Sequence, residues 1–418
     1  MKENKSDKRQ GKKTDKKNKI NISDINVRQQ TVMGVLKITV VILAVLALLF
    51  FAANKFGDVT FSSVGDYFNG LFSGVKKGEG YPYYFENSAP SDVKKINSDL
   101  LVLNEASYSV LDSTARKLNN VSHSFSQPIA DSNNGRAIIF DVGSYAYSIV
   151  SRTKVFYEGQ TQQKILVGCV GKDGTYALAT RGASSTSELI VFNSSHQEIF
   201  KWSCSKENIV SIDISDNGKR AAISVVGAQN GELYSKVIVF DFEYKEPLKE
   251  LPFDAQIVAG VEYVSGNKLL AYGENVLCYI DRSFNRHDID LSLNTLSRIY
   301  TGENNMTAVV LSKYGSSSSK ILKVFNKNGD ELFTKELNFA VRSVSCDGNY
   351  ISVLADNQLL SFNRRGKEVG KSEVTADGVS CFTDGNRTYV LTTSSIDCCK
   401  TFGEHKLNGT ANPEKDKK

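Results

Sequence analysis

From Tyr81 onward, apolar and polar positions alternate in short runs separated by Gly, Asn, Asp and Ser, the pattern of half-buried strands joined by tight turns. Many runs follow a turn pair: Asn134-Gly135, Asp173-Gly174, Asn217-Gly218, Ser265-Gly266, Asp347-Gly348 and Asp384-Gly385, with Asn97-Ser98 and Asn304-Asn305 in the matching places of two weaker copies. These pairs recur about every 41 residues, a period that with four strands per unit predicts a β-propeller. After each turn comes an apolar strand, as in RAIIFDV, TYALATR, KRAAISVV and NYISVLA. A second strand then ends at Phe192, Phe240, Phe325 or Phe362 before a polar turn, and these rings are expected to pack between adjacent blades. Each unit can bury its sheet faces only against its neighbours, so the array must close into a ring.

The expected fold is therefore all-β, a propeller of about eight four-stranded blades over residues 81–406, preceded by one transmembrane α-helix. Seven blades is the alternative if a terminal unit is incomplete or if strands from both chain ends share one blade. Three longer connections, GASSTSE from Gly182, GAQNGELY from Gly227 and YGSSSSK from Tyr314, join second to third strands and should project from one face as variable loops.

Upstream the pattern is different. Residues 32–54 are apolar on every side, and Ile38 to Asn54 carry no charge. As a helix, Val32 to Ala53 reaches about 33 Å, enough for a bilayer core, with Val32, Ile38, Val41, Leu46, Phe50 and Ala53 along the anchor. Lys37 lies one turn in and can extend to the headgroups. Residues 55–80 read as a juxtamembrane stem, and the stripe Phe61, Val64, Phe68, Leu71, Phe72 and Val75 allows an amphipathic helix there. Residues 407–418 are a polar tail.

Charge sharpens this picture. Of the net +5, residues 1–31 supply +6 and Lys37 one more, leaving the remainder at −2. A nucleic-acid-binding domain would carry its cations on the folded part, so nucleic acid is not an expected partner. The lysine-rich segment 1–31 is too polar to bury a core and should be disordered. Lys12, Lys13, Lys16, Lys17, Lys19, Arg28 and Lys37 set the topology by the positive-inside bias: N-terminus cytoplasmic, propeller outside the plasma membrane. FFAAN offers no small-x-small cleavage pattern, and no cysteine follows the apolar run, so an uncleaved signal anchor is expected.

The anchor, the GYP entry at residues 80–82, and phrases such as IVSIDISDNGKRAAISVVGAQNGELYSKVIVFDFE resemble the uncharacterised DUF5711 proteins of clostridial Gram-positive bacteria. That resemblance implies a single-pass protein with a WD-repeat or quinoprotein-like propeller outside the cell. It brings no catalytic motif with it.

Candidate chemistry is sparse. There is no GxSxG elbow and no GxxxxGK[ST] loop, and Trp202 is the only tryptophan, whereas quinone-dependent propellers carry tryptophan-rich docking motifs. The seven cysteines lack CxxC spacing and mostly stand in apolar runs, so they are expected as small buried hydrophobes, with a Cys346–Cys381 bridge left open. Asp213, Asp216, Asp347 and Asp384 sit beside turns and are expected to cap them. No catalytic, metal or cofactor site is predicted. The leading expectation is a non-enzymatic binding or scaffolding module at the cell envelope. It would contact the lipid bilayer through one helix and an unknown envelope protein or polymer through the propeller. The alternatives are a polysaccharide hydrolase or lyase using channel carboxylates, and a transmembrane sensor.

Overall fold

The computed structural model describes residues 78–406 apart from 86–88, 303–304, 314–318 and 376. The basic tail, the anchor and topology residues, the stem up to residue 77 and the 407–418 tail lie outside the described residues.

The turn pairs do what their composition requires. Each first-to-second-strand turn contains a residue of positive φ, for example Gly174 at 86° and Gly385 at 54°, a conformation that strains most L side chains and that Gly or Asn adopts cheaply. Each turn opens an antiparallel four-stranded meander, giving blades at 92–122, 128–160, 165–204, 208–253, 260–288, 295–337 and 343–373. The eighth blade is composite. Residues 378–400 supply three strands, and the two-residue strand Tyr83–Tyr84 from the other end of the propeller supplies the fourth, pairing Tyr83 with Ile396 and Tyr84 with Ser395. Both ends thus share one blade and the ring still has eight. A further strand, Gly403–Lys406, runs parallel to the outer strand Glu368–Glu373 of blade 7.

Ring closure is visible in the core. The buried apolar residues form eight clusters, one for each blade interface, including the last-to-first contact where Val93, Leu100 and Leu111 meet Tyr389, Leu391 and Ile396. The four phenylalanines lie where expected: Phe240, Phe325 and Phe362 are fully buried between blades, and Phe192 stacks on Tyr176 at 4.9 Å. Three ion pairs stitch the start of the ring. Arg152 of blade 2 holds Asp99 of blade 1, and Lys95 of blade 1 reaches both Asp347 of blade 7 (3.1 Å) and Asp384 of blade 8 (2.9 Å).

In a meander of this kind, second-to-third-strand loops and blade-to-blade connections share one face, here termed the loop face. The first-to-second and third-to-fourth turns share the opposite face, the turn face. GAQNGELY proves not to be a loop. Strands Arg220–Gln229 and Glu232–Asp241 stay paired through Gly227–Tyr234, Ala228–Leu233 and Gln229–Glu232, so the hairpin projects about 10 Å beyond its inner neighbour before turning at Asn230-Gly231.

Candidate functional site

The first strand of every blade lines the axis and has one edge without a strand partner. Its N–H groups need another acceptor. Side chains of the preceding blade provide it: Asp131 Oδ2 accepts from the Val170 N–H (2.9 Å), Ser211 Oγ from Val261 (3.1 Å), Asp213 Oδ2 from Tyr263 (2.6 Å) and Ser345 Oγ from Thr383 (2.8 Å). This corrects the expectation for the turn-proximal acids. Asp213 is an inter-blade acceptor, and Asp216 pairs with Lys172 of the preceding blade at 2.9 Å. Asp347 caps its own turn through the Gly348 N–H, but it also accepts from Gly385 of blade 8 and holds Lys95. Asp384 is the second partner of Lys95.

The axial strands bring Asp92, Lys94, Asp131, Asp213 and Glu262, from four different blades, within range of one another's charge. Burial raises Asp131, Asp213 and Glu262 above the usual carboxylate range, and neighbouring acids push the same way. Their backbone partners and, for Glu262, the Tyr272 hydroxyl at 2.9 Å oppose the rise without cancelling it. Burial also raises Asp92 despite Lys94 at 3.4 Å. None of these residues stands out in the sequence as a channel group, Asp213 being expected only as a turn cap.

A second kind of buried acid sits on blade 8. Asp397 is 2% exposed, neither carboxylate oxygen has a hydrogen-bond partner among the described residues, and the nearby Ser395 hydroxyl is engaged with Thr392. Burial and then the charge of Asp377 raise its pKa. A carboxyl that holds its proton more tightly when folded contributes stability that is full below the ordinary carboxylate range and is lost as pH rises through the folded value. Asp397 and the channel acids should therefore make the propeller more heat-stable at pH 5 than at pH 7. Asp397→Leu should raise stability at pH 7 by about 1–2 kcal/mol and flatten that pH dependence, as read by calorimetry. An unchanged profile in the variant would exclude Asp397 as a contributor.

The remaining reactive side chains are quiet. All seven cysteines are free, so no Cys346–Cys381 bridge forms, and six are buried. Burial pushes the Cys204 thiol up to about 11 and those of Cys278, Cys346, Cys381 and Cys398 to about 12, which keeps them protonated and poorly nucleophilic at neutral pH. Among the described residues no group of three or more His, Cys, Asp or Glu side chains is arranged to hold a metal.

The loop face is where exposed apolar chemistry gathers. Leu293 (91% exposed), Leu233 (59%), Val379, Ile129, Tyr145, Val210 and Ile257 all lie in its loops or at the loop-face ends of the axial strands. Two are rigidly presented. Ser292 and Leu293 have φ of 50° and 64° in a connection fixed by the Ser292 N–H to Asp290 Oδ1 (2.8 Å) and Asn294 Nδ2 to the Leu291 carbonyl (2.7 Å). The Leu233 hairpin is braced at its base by Glu207, which accepts from the Tyr234 hydroxyl (2.8 Å) and the Cys204 thiol and pairs with Lys236 (3.2 Å). Burial alone would raise Glu207, but these partners outweigh it and leave the carboxyl below its usual range. Among the described residues this bracing brings the two leucines no burial.

No curated protein sequence matches the chain. Among solved structures it is similar to BamB from Moraxella catarrhalis, at 12% identity and a TM-score of 0.48, over 76% of this chain and 99% of that one. It is also similar to apo AztD from Citrobacter koseri, at 10% identity and a TM-score of 0.49, over 70% and 88%. The RRP9 WD40 repeats are similar at 9% identity and a TM-score of 0.45, over 76% and 96%. A family model described as a family of unknown function, DUF5711, matches residues 81–400, which begin at the Tyr81 entry and end with the last strand of blade 8. With the match extending over the whole composite ring, the chain belongs to the DUF5711 family.

Proposed function

We propose that this protein is a single-pass, membrane-tethered propeller displayed outside the plasma membrane, where its loop face binds a protein or polymer of the cell envelope without catalysing a reaction on it. The observation that carries the binding role is the gathering of exposed apolar side chains on the loop face, with Leu293 and Leu233 held out on braced supports. A surface of that kind is disfavoured in water unless it meets a partner. The tether and its orientation rest on the uncharged run from Ile38 to Asn54 and the cations before it. Protease added to intact spheroplasts should digest the propeller and spare the lysine-rich end. Digestion of the lysine-rich end alone would overturn the orientation.

A second reading, a polysaccharide hydrolase or lyase, draws support from the convergence of Asp131, Asp213 and Glu262 on the channel. Against it, Asp131 and Asp213 already accept backbone N–H groups of the next blade and serve the ring. Asp131→Asn and Asp213→Asn should therefore change melting temperature before they change any turnover of wall polymer.

A further inference from the structure

Between blades 1 and 2, at their loop-face ends, lies a cleft of about 700 Å³, within the range of small-ligand sites. One wall is the connection after strand Lys117–Ser122, where the His123 and Phe125 rings stack at 4.9 Å. The imidazole is fixed in place: Nε2–H donates to the Asn104 carbonyl (3.1 Å), and Nδ1 accepts from the Phe125 N–H (3.3 Å). That pattern requires the neutral tautomer, in keeping with a pKa that burial lowers. The wall is thus a rigid, uncharged aromatic surface. The opposite wall comes from strands Ala146–Ser151 and Val155–Gln160 and carries Ser148, Glu158 and Gln160, with Ser124 at the rim.

The Tyr108 hydroxyl, on a residue 2% exposed, lies beside the Asn119 side chain and within range of the Glu158 charge. Asn104 Oδ1, on the residue that anchors His123, has no partner among the described residues.

The composition of the walls narrows what that is. Among the described residues no Lys or Arg lines the cleft and one carboxylate does, so an anion is disfavoured. Hydroxyls and an amide break up the apolar surface, so a greasy ligand gains little. Flat rings facing short hydroxyl, amide and carboxylate groups suit a ligand with apolar C–H faces and a hydroxylated rim. We propose that the cleft between the stacked His123–Phe125 pair and the Ser148, Glu158 and Gln160 wall binds an uncharged saccharide one or two rings long. The rings pack on the C–H face of the sugar. Glu158 accepts from a vicinal hydroxyl pair, and Gln160, Ser124 and Ser148 complete the edge.

The test uses the full chain in detergent micelles, titrated calorimetrically with N,N′-diacetylchitobiose and with cellobiose, and with glucuronate as the anionic counterpart. At least one neutral disaccharide should bind saturably in the millimolar range, and glucuronate about tenfold more weakly. Glu158→Gln and Gln160→Ala should each weaken binding about tenfold. Ser124→Trp, at an exposed rim position that leaves the core untouched, should abolish it while the melting temperature stays within about a degree of the wild type. Failure of both disaccharides to saturate would overturn the proposal, and so would saturable binding that all three variants leave intact. Crosslinking from Leu293 to an envelope partner is a separate readout. Its persistence in Ser124→Trp would keep the loop-face reading standing whichever way the sugar titration falls.

Discussion

Replacing Lys95 with alanine should lower the melting temperature by at least about 5 °C, among the larger losses open to a single polar side chain in this ring. The ammonium reaches Asp347 of blade 7 and Asp384 of blade 8 from blade 1, and its side chain is only 12% exposed. Without it, two half-buried carboxylates at the closing interface face each other uncompensated, a situation that costs about 3 kcal/mol or more. The charge origin of the loss is separable from packing. The triple variant Lys95→Met, Asp347→Asn, Asp384→Asn removes the unpaired acids and should recover more than half of the lost stability. A triple variant as unstable as Lys95→Ala would show that the lysine acts through its stem, or that the Asp347 bond to the Gly385 N–H dominates.

Tyr81→Ala should be comparably damaging, with a loss of about 3–4 kcal/mol, and more local. The ring meets Tyr389 edge-on at 5.1 Å in the cluster between blades 8 and 1, and the hydroxyl donates to the Asp112 carbonyl at 3.1 Å. Tyr81 positions the two-residue strand that completes blade 8, whose backbone pairs with residues 395–396. Hydrogen exchange should therefore accelerate first at Ser395 and Ile396 in the variant, well before the blade 3–4 interface is affected. Uniform acceleration around the ring would mean that closure is no weaker than any other interface.

The readable part of this fold is the local part. A turn pair, an alternating strand and a closing phenylalanine are each written within a dozen residues, so the repeat, the four-stranded unit and the inter-blade role of Phe240, Phe325 and Phe362 followed directly. The closure did not, because Tyr83–Tyr84 is two residues long and its partner lies more than 300 residues away in the chain. Asp213 was expected to cap a turn because it stands three residues from Asp216 and four from Asn217. In an axial strand, however, the pleat directs it at the next blade's N–H groups. GAQNGELY looked like a loop because it is rich in glycine and polar residues. Its Asn230-Gly231 pair is a hairpin signal, and weighting that signal would have found the projecting strands. The saccharide cleft had no such cue. Its walls are ordinary Ser, Glu and Gln residues that only the blade 1–2 contact brings opposite an aromatic pair.

The loop-face assignment can be tested at matched exposure, since Leu233 on the loop face is 59% exposed and Tyr244 on the turn face is 60% exposed. A photo-crosslinking residue placed at Leu233, at Leu293 or at Tyr244, and activated in intact cells, should give discrete high-mass adducts from the first two positions and none from the third. Adducts from Tyr244 alone, or equal labelling from all three, would contradict a binding surface on the loop face.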